Sequence, residues 1–139
     1  MSEETLRSVS LRRTGAGQLV VTNPRGGEIA FGHTEEAFTP VEMLLAAIAG
    51  CTALDVDALT SRRAEPESFE VEIRADKVRD DSGNHLDNIE VTFHVTFPPG
   101  PAGDAAREVL PQMVAKSHDR LCTVTRTVER QTPVTSRVA

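Results

Sequence analysis

Residues 39–56 read TPVEMLLAAIAGCTALDV, and this stretch decides the fold because an explicit helix start precedes a long apolar run. Thr39 supplies an N-cap, Pro40 a proline at the first helical position, and Glu42 a capping-box carboxylate. Residues 41–54 are apolar on nearly every helical face, a pattern typical of a helix that is buried all round. We therefore expect this helix to form the centre of the fold.

Short strands are predicted on both sides of the helix. Before it, three apolar runs separated by Gly-rich turns indicate a β-meander, and they lie near residues 9–11, 19–21 and 29–31. After it, residues 69–75 and 89–97 alternate apolar and polar side chains, which predicts an antiparallel hairpin with one solvated face. Residues 80–84 are polar or Gly, so we expect a connection longer than a tight turn.

The C-terminal third predicts a second helix and two shorter pieces. Asp104 is a plausible cap for a helix that runs toward Ser117, and Pro111 predicts a kink or a break within it. A short helical or irregular piece is expected at residues 122–129, and a last strand near residues 134–138.

Composition favours one small domain that needs a partner copy. The chain has 139 residues, 39% of them hydrophobic, which suits a single domain spanning residues 1–139. Aromatic residues make up only 4% and Trp and Tyr are absent, so the core must consist mainly of aliphatic side chains. Because such a core is thin for a monomer, we expect an obligate homodimer.

Charge and hydropathy indicate a cytoplasmic protein. The formal net charge of −6 opposes nucleic-acid binding, which requires a basic surface. The N-terminus has no apolar segment typical of a secretory signal. The most apolar run, residues 43–54, is too short to span a bilayer as a helix, so we expect no membrane association.

The two cysteines are the main candidates for chemistry. In a cytosolic protein such a pair favours redox or metal chemistry over a structural disulfide. Cys51, in a helix interior, is on local grounds more often a small buried hydrophobe than a nucleophile. Cys122 follows Lys116, His118 and Arg120 in a polar stretch expected near the surface, and positive charge lowers a thiol pKa. Local physics therefore favours Cys122 as the more reactive thiol.

Metal and cofactor sites are disfavoured by the spacing of possible ligands. The chain has neither C-x-x-C nor H-E-x-x-H, and its histidines are scattered. His118 and Cys122, four residues apart, could place two ligands on one helical face, but two ligands do not complete a site. Asp55 and Asp57 are expected on the solvated edge of the central helix. Without a phosphate-binding glycine loop or a G-x-S-x-G motif, we expect no metal and no cofactor.

Two segments together resemble the OsmC/Ohr family. Residues 39–56 are similar to its central-helix signature, and residues 121–129, which include Leu121-Cys122-Thr123-Val124, are similar to its second cysteine motif. The Thr-Pro-x-Glu and Gly-Cys-Thr-Ala patterns are closer to a less characterised OsmC-like branch. The resemblance implies an α+β fold in which antiparallel sheets wrap around buried central helices, in an intertwined homodimer with two interface active sites.

The resemblance also implies a thiol-dependent peroxidase for defence against peroxide stress. In such a cycle the Cys51 thiolate attacks an organic hydroperoxide and becomes a sulfenic acid, Cys122 condenses with it to a disulfide, and an external dithiol reduces that bond. The family's attacking cysteine thus differs from the one that local physics favours. We follow the family, because an apolar site suits an organic hydroperoxide.

The chain departs from the family's peroxidase pattern in the residues that would stabilise the Cys51 thiolate. The position of the family's activating Glu is occupied by Val41, and the first hairpin turn contains no Arg. Arg13 and Glu42 are the substitutes that we expect, with Arg12 and Arg25 as further options. The alternative is a non-catalytic OsmC-like dimer that binds a small apolar or thiol ligand in an interface pocket. A weaker third interpretation is a metal-binding module.

Overall fold

A computed structural model describes residues 4–139 and shows an α+β protein with two antiparallel sheets and three α-helices. The expected fold class is confirmed. The chain divides into two compact units, Met1–Leu44 and Leu45–Ala139.

The first unit contains the predicted β-meander. Strands β1 (Ser10–Gly15), β2 (Gln18–Thr22) and β3 (Glu28–Gly32) pair in the order β1-β2-β3. Gly17 has a φ of 69°, and a Cβ at Gly32 would collide with the Gly17 carbonyl oxygen. The glycines thus permit both the tight turn and the close approach of two backbones.

Helix α1, Pro40–Thr60, begins at the predicted capping box. The Thr39 backbone N–H donates to Glu42 Oε1 at 2.9 Å, and the Glu42 N–H donates to Thr39 Oγ1 at 3.2 Å. These reciprocal bonds satisfy backbone donors that a helix start leaves free.

The expectation that α1 is buried all round is wrong for a single chain. Its buried residues are Ile48, Ala49, Thr52, Val56 and Thr60. Leu54 is 73% exposed, and Val41 and Leu44 are about 40% exposed. Apolar composition alone does not reveal which faces of a helix are covered, so the sequence could not show that much of α1 is exposed in this chain.

The full length of α1 bears on the expectation that no segment spans a membrane. Among the residues that the structure describes, this 21-residue helix, with mean hydropathy 1.6, could cross a membrane by length and composition alone. The core helix of a soluble protein meets the same criterion. The helix thus extends beyond its most apolar run at residues 43–54 at both ends.

The second unit contains the predicted hairpin in a longer form. Strands β4 (Ser68–Asp80) and β5 (Gly83–Thr96) pair antiparallel, and only two residues separate them. The expected long loop is wrong, because Asp80 Oδ1 accepts bonds from the Ser82 N–H and hydroxyl and thereby closes a tight turn. On the apolar face, Phe69 and Phe93 pack edge to face with centroids 6.3 Å apart.

The C-terminal helices differ in detail from the prediction. Helix α2, Pro101–Lys116, is capped by Gly100 rather than Asp104 and has no break at Pro111. A π-helical turn, Ser117–Leu121, joins it to helix α3, Thr123–Glu129, where a helical piece was expected. Residues 132–139 contain no regular secondary structure, so the predicted last strand is wrong. Val134 and Val138 there are at least 90% exposed, so alternation alone did not indicate a paired strand.

Candidate active site around two cysteines

The second unit brings the two cysteines together, although they are far apart in the sequence. Cys51 lies in α1, and Cys122 is the N-cap residue of α3. Their Sγ atoms and a carboxylate oxygen of Asp55 all lie within 4.8 Å of one another. Both cysteines carry free thiols. The fold therefore places the two thiols beside each other.

The exposures of the two thiols are the reverse of what local sequence indicated. Cys122 is completely buried, whereas Cys51 is only partly buried. The Cys122 thiol donates to Thr125 Oγ1 at 3.1 Å and accepts from the Thr125 N–H at 3.4 Å. These bonds turn Cys122 inward, so the expectation of a surface position beside basic residues is wrong.

The surroundings of Cys51 favour its neutral thiol. Burial is the largest influence and raises the pKa of Cys51, and the nearby Cys122 and Asp55 raise it further. A hydrogen bond from the Val124 backbone N–H opposes them and lowers the pKa. None of these groups carries positive charge.

A hydroxyl network positions the carboxylate beside the thiols. The hydroxyl of buried Ser117 donates to Asp55 Oδ2 at 2.9 Å and lies 2.8 Å from Thr52 Oγ1. Asp55 is therefore not simply on the solvated helix edge, as expected, whereas Asp57 is exposed. The available sequence signal was the four-residue spacing of Cys51 and Asp55, which places both on one helical face.

The two residues predicted to support the thiolate lie in the first unit. Arg13 lies on β1 and is exposed, and it lines a cavity of about 200 Å³ with Gly17 and Pro40. Glu42 is engaged in the capping box with Thr39. Their roles at Cys51 stay predictions from the resemblance.

A mainly apolar cavity of about 440 Å³ lies within the second unit. Its apolar wall includes Ile89, Val91 and Phe93 from β5. Thr52, the neighbour of Cys51, and Thr125, the hydrogen-bond partner of Cys122, also line it. The cavity therefore borders residues that directly adjoin the thiol pair.

Two ionisable residues, His118 and Glu129, also line this cavity. His118 Nε2 lies 3.0 Å from Glu129 Oε1, and its Nδ1 lies 3.3 Å from Asp119 Oδ1. Both imidazole nitrogens therefore face carboxylates. Among the described residues, the possible metal ligands that lie together are Cys51, Asp55 and Cys122. The sequence had instead suggested His118 as a ligand beside Cys122.

An α+β fold that brings two free thiols together defines a class of small thiol proteins, and the comparisons identify the family. The model of the family described as OsmC-like protein matches residues 32–137. The chain therefore belongs to the OsmC-like family, within the OsmC/Ohr group. No curated protein gives a significant sequence match.

Several solved structures share the fold at low sequence identity. A hypothetical protein from Aquifex aeolicus VF5 has a TM-score of 0.73 at 20% identity, covering 91% of this chain and 89% of its own. The OsmC-like protein from Mycoplasma pneumoniae has a TM-score of 0.70 at 14% identity, with the same two coverages. The organic hydroperoxide resistance protein OhrB of Bacillus subtilis has a TM-score of 0.56 at 18% identity, covering 90% and 91%.

Proposed function

We propose that this protein is a thiol-dependent peroxidase that reduces organic hydroperoxides and protects the cell against peroxide stress. The observation that carries the proposal is the proximity of the Cys51 and Cys122 sulfurs, which lie within 4.8 Å. Two free thiols at this distance can form a disulfide once one of them is oxidised. The structural neighbour OhrB of Bacillus subtilis is named an organic hydroperoxide resistance protein, and this supports the choice of substrate class.

In the proposed reaction, the Cys51 thiolate attacks the terminal oxygen of the hydroperoxide. The O–O bond breaks, the alcohol leaves with a proton, and Cys51 becomes a sulfenic acid. The Cys122 sulfur then attacks the Cys51 sulfur, and water leaves as the disulfide forms. An external dithiol restores the two thiols by exchange. Partial exposure of Cys51 and burial of Cys122 suit these roles, since the attacking thiol must meet the oxidant.

The apolar cavity supports an organic substrate. Thr52 and Thr125 connect its wall to the thiols, and Val91 and Phe93 offer apolar contacts to an alkyl group. Hydrogen peroxide gains nothing from such contacts, so an organic hydroperoxide should react faster.

We also propose that the protein works as a cytoplasmic homodimer. Leu54 on α1 is 73% exposed in the single chain, and much of this apolar helix is uncovered. A second copy would bury such side chains and merge two thin cores. Arg13, paired with Glu42, is the proposed support for the Cys51 thiolate.

The test is the intact mass, under non-reducing conditions, of reduced protein treated with one equivalent of an organic hydroperoxide. Wild type should lose a pair of hydrogens per chain, and a sulfenic adduct should be trapped only in Cys122→Ser. Cys51→Ser should stay reduced. If wild type, Cys51→Ser and Cys122→Ser all stay reduced over minutes, the peroxidase proposal is wrong.

A non-catalytic ligand-binding dimer is the second candidate function. The combination of an apolar cavity with a raised pKa of Cys51 favours it, because a neutral thiol is a poor nucleophile. Saturable binding of a hydrophobic fluorophore that persists in Cys51→Ser, with no oxidation of wild type, would support this function instead.

A further inference from the structure

The thiol pair and its neighbouring carboxylate have the composition of a metal site. Two sulfurs, from Cys51 and Cys122, and one oxygen, from Asp55, lie within 4.8 Å of one another. In a tetrahedral site with Zn–S bonds of about 2.3 Å, two sulfur ligands lie about 3.8 Å apart. Side-chain rotation can supply an approach of about 1 Å, so these atoms can surround one borderline-soft divalent ion.

Hydrogen bonds already orient the carboxylate in the way that metal sites require. Ser117 donates to Asp55 Oδ2, which leaves Oδ1 available as a ligand atom. Ser117 is itself fully buried and held by Thr52. Such outer contacts fix ligand orientation and typically change metal affinity by 10- to 100-fold.

The second sulfur has comparable support. The Thr125 backbone N–H points to Cys122 Sγ at 3.4 Å and would stabilise the thiolate. The Thr125 hydroxyl, which now accepts from the thiol, can rotate to donate once the thiol proton has left.

We infer that Cys51, Asp55 and Cys122 form a binding site for a thiophilic divalent cation such as Zn²⁺. Binding replaces the two thiol protons, which are released to solvent, and leaves a fourth coordination position for water. The sequence disfavoured a metal site because Asp55 was expected in solvent and the ligands come from separate motifs. Metal binding depends only on the geometry of these side chains, and not on their reaction with peroxide.

A consequence that does rest on the proposed function is competition between the metal and the oxidant. Oxidation of the zinc-bound pair by a hydroperoxide consumes two protons, and it yields the disulfide, free Zn²⁺, the alcohol and water. Bound metal should therefore slow oxidation of the thiols, and oxidation should release the metal.

The experiment is a titration of the fully reduced, metal-free protein with Zn²⁺ in competition with a chromophoric chelator. We expect one ion per chain. Co²⁺ used as a spectroscopic probe should give the sulfur-to-metal charge-transfer band and the visible bands of a tetrahedral thiolate site. Asp55→Asn should weaken Zn²⁺ binding at least about tenfold, and Ser117→Ala by about tenfold.

The matched control is Asp57→Asn, because Asp57 lies on the same helix but is exposed. It should bind Zn²⁺ like wild type, and so should His118→Gln, while Cys51→Ser and Cys122→Ser should lose the charge-transfer band. Circular dichroism verifies that each variant is folded. Equal affinities for Asp55→Asn and Asp57→Asn, or one ion per two chains, would overturn the inference.

The two proposals fail separately. A protein that forms the disulfide with hydroperoxide but gives no cobalt spectrum lacks the metal site and keeps the peroxidase function. A protein that binds zinc through both sulfurs but is not oxidised has the metal site without the peroxidase function.

Discussion

The hydroxyl of Ser117 donates a 2.9 Å hydrogen bond to Asp55 Oδ2 and thereby joins the π-helical turn to helix α1. Ser117 has a single hydroxyl hydrogen, so Thr52 must be the donor in the 2.8 Å bond between their hydroxyl groups. The chain of hydrogen bonds from Thr52 through Ser117, here called the relay, ends at the Asp55 carboxylate beside the two sulfurs. It therefore determines the orientation of the charge closest to the thiol pair.

Loss of this hydrogen bond should destabilise the protein. Ser117→Ala removes the donor to Asp55 at a fully buried position, and we expect the free energy of unfolding to fall by about 1–2 kcal/mol. Urea denaturation measures the change. The control is Ser136→Ala in the exposed C-terminal segment, which should have no effect. Equal stability of the two variants would show that the relay contributes nothing.

The reactivity of Cys51 should rise with pH through a pKa above the ordinary thiol value. Burial and the negative charge of Asp55 favour the neutral thiol, and they remain in Cys122→Ser, so the nucleophilic thiolate forms only at higher pH. Alkylation rates across pH, measured in Cys122→Ser to isolate Cys51, report this pKa. Adding Asp55→Asn should lower it by removing a negative charge, whereas Asp57→Asn should not.

The raised pKa of Cys51 should also make the stability of the protein depend on pH. Because the pKa of Cys51 is higher in the folded state, the neutral thiol stabilises the fold below the unfolded thiol's pKa. This contribution should disappear as pH rises through the folded-state value, and Cys51→Ser should remove that part of the pH dependence. An unchanged alkaline stability profile in Cys51→Ser would contradict the assignment.

The proposed dimer predicts an effect of charge on the exposed face of α1. Leu54→Glu should shift the protein toward monomer in analytical ultracentrifugation, because a carboxylate cannot be buried there without large desolvation. Val134→Glu, at a position that is 90% exposed in the C-terminal segment, is the matched control. A wild-type protein that stays folded as a monomer at all concentrations would contradict the dimer.

Substitution of Gly103 in helix α2 by alanine should lower the stability of the protein rather than raise it. In a helix, Gly→Ala normally stabilises by about 0.5–1 kcal/mol. At Gly103, however, a Cβ would collide with the Pro98 carbonyl oxygen, so Gly103→Ala should destabilise by about 1–3 kcal/mol. Thermal unfolding measures the change. Exposed Ala102→Gly should show only the loss of about 0.5–1 kcal/mol typical of helix propensity.

Local sequence alone determined the elements whose causes lie within a few residues. The capping box of Thr39 and Glu42 fixed the start of α1, since both partners lie within one helical turn. The alternation around Phe69 and Phe93 predicted the hairpin, although its tight turn depended on a hydrogen bond from the Ser82 N–H to the Asp80 side chain that the pattern did not reveal. The two cysteine motifs together indicated the family that the comparisons confirm.

Only the tertiary structure decided how the site is arranged. Cys122 is buried because its thiol caps α3, and Asp55 leaves the solvent because Ser117 approaches it from a distant turn. Which groups meet across such distances depends on how the helices pack, and the local sequence around each residue does not predict that packing. The sequence therefore determined which residues could react, and packing determined their burial, their pKa and the carboxylate that joins them.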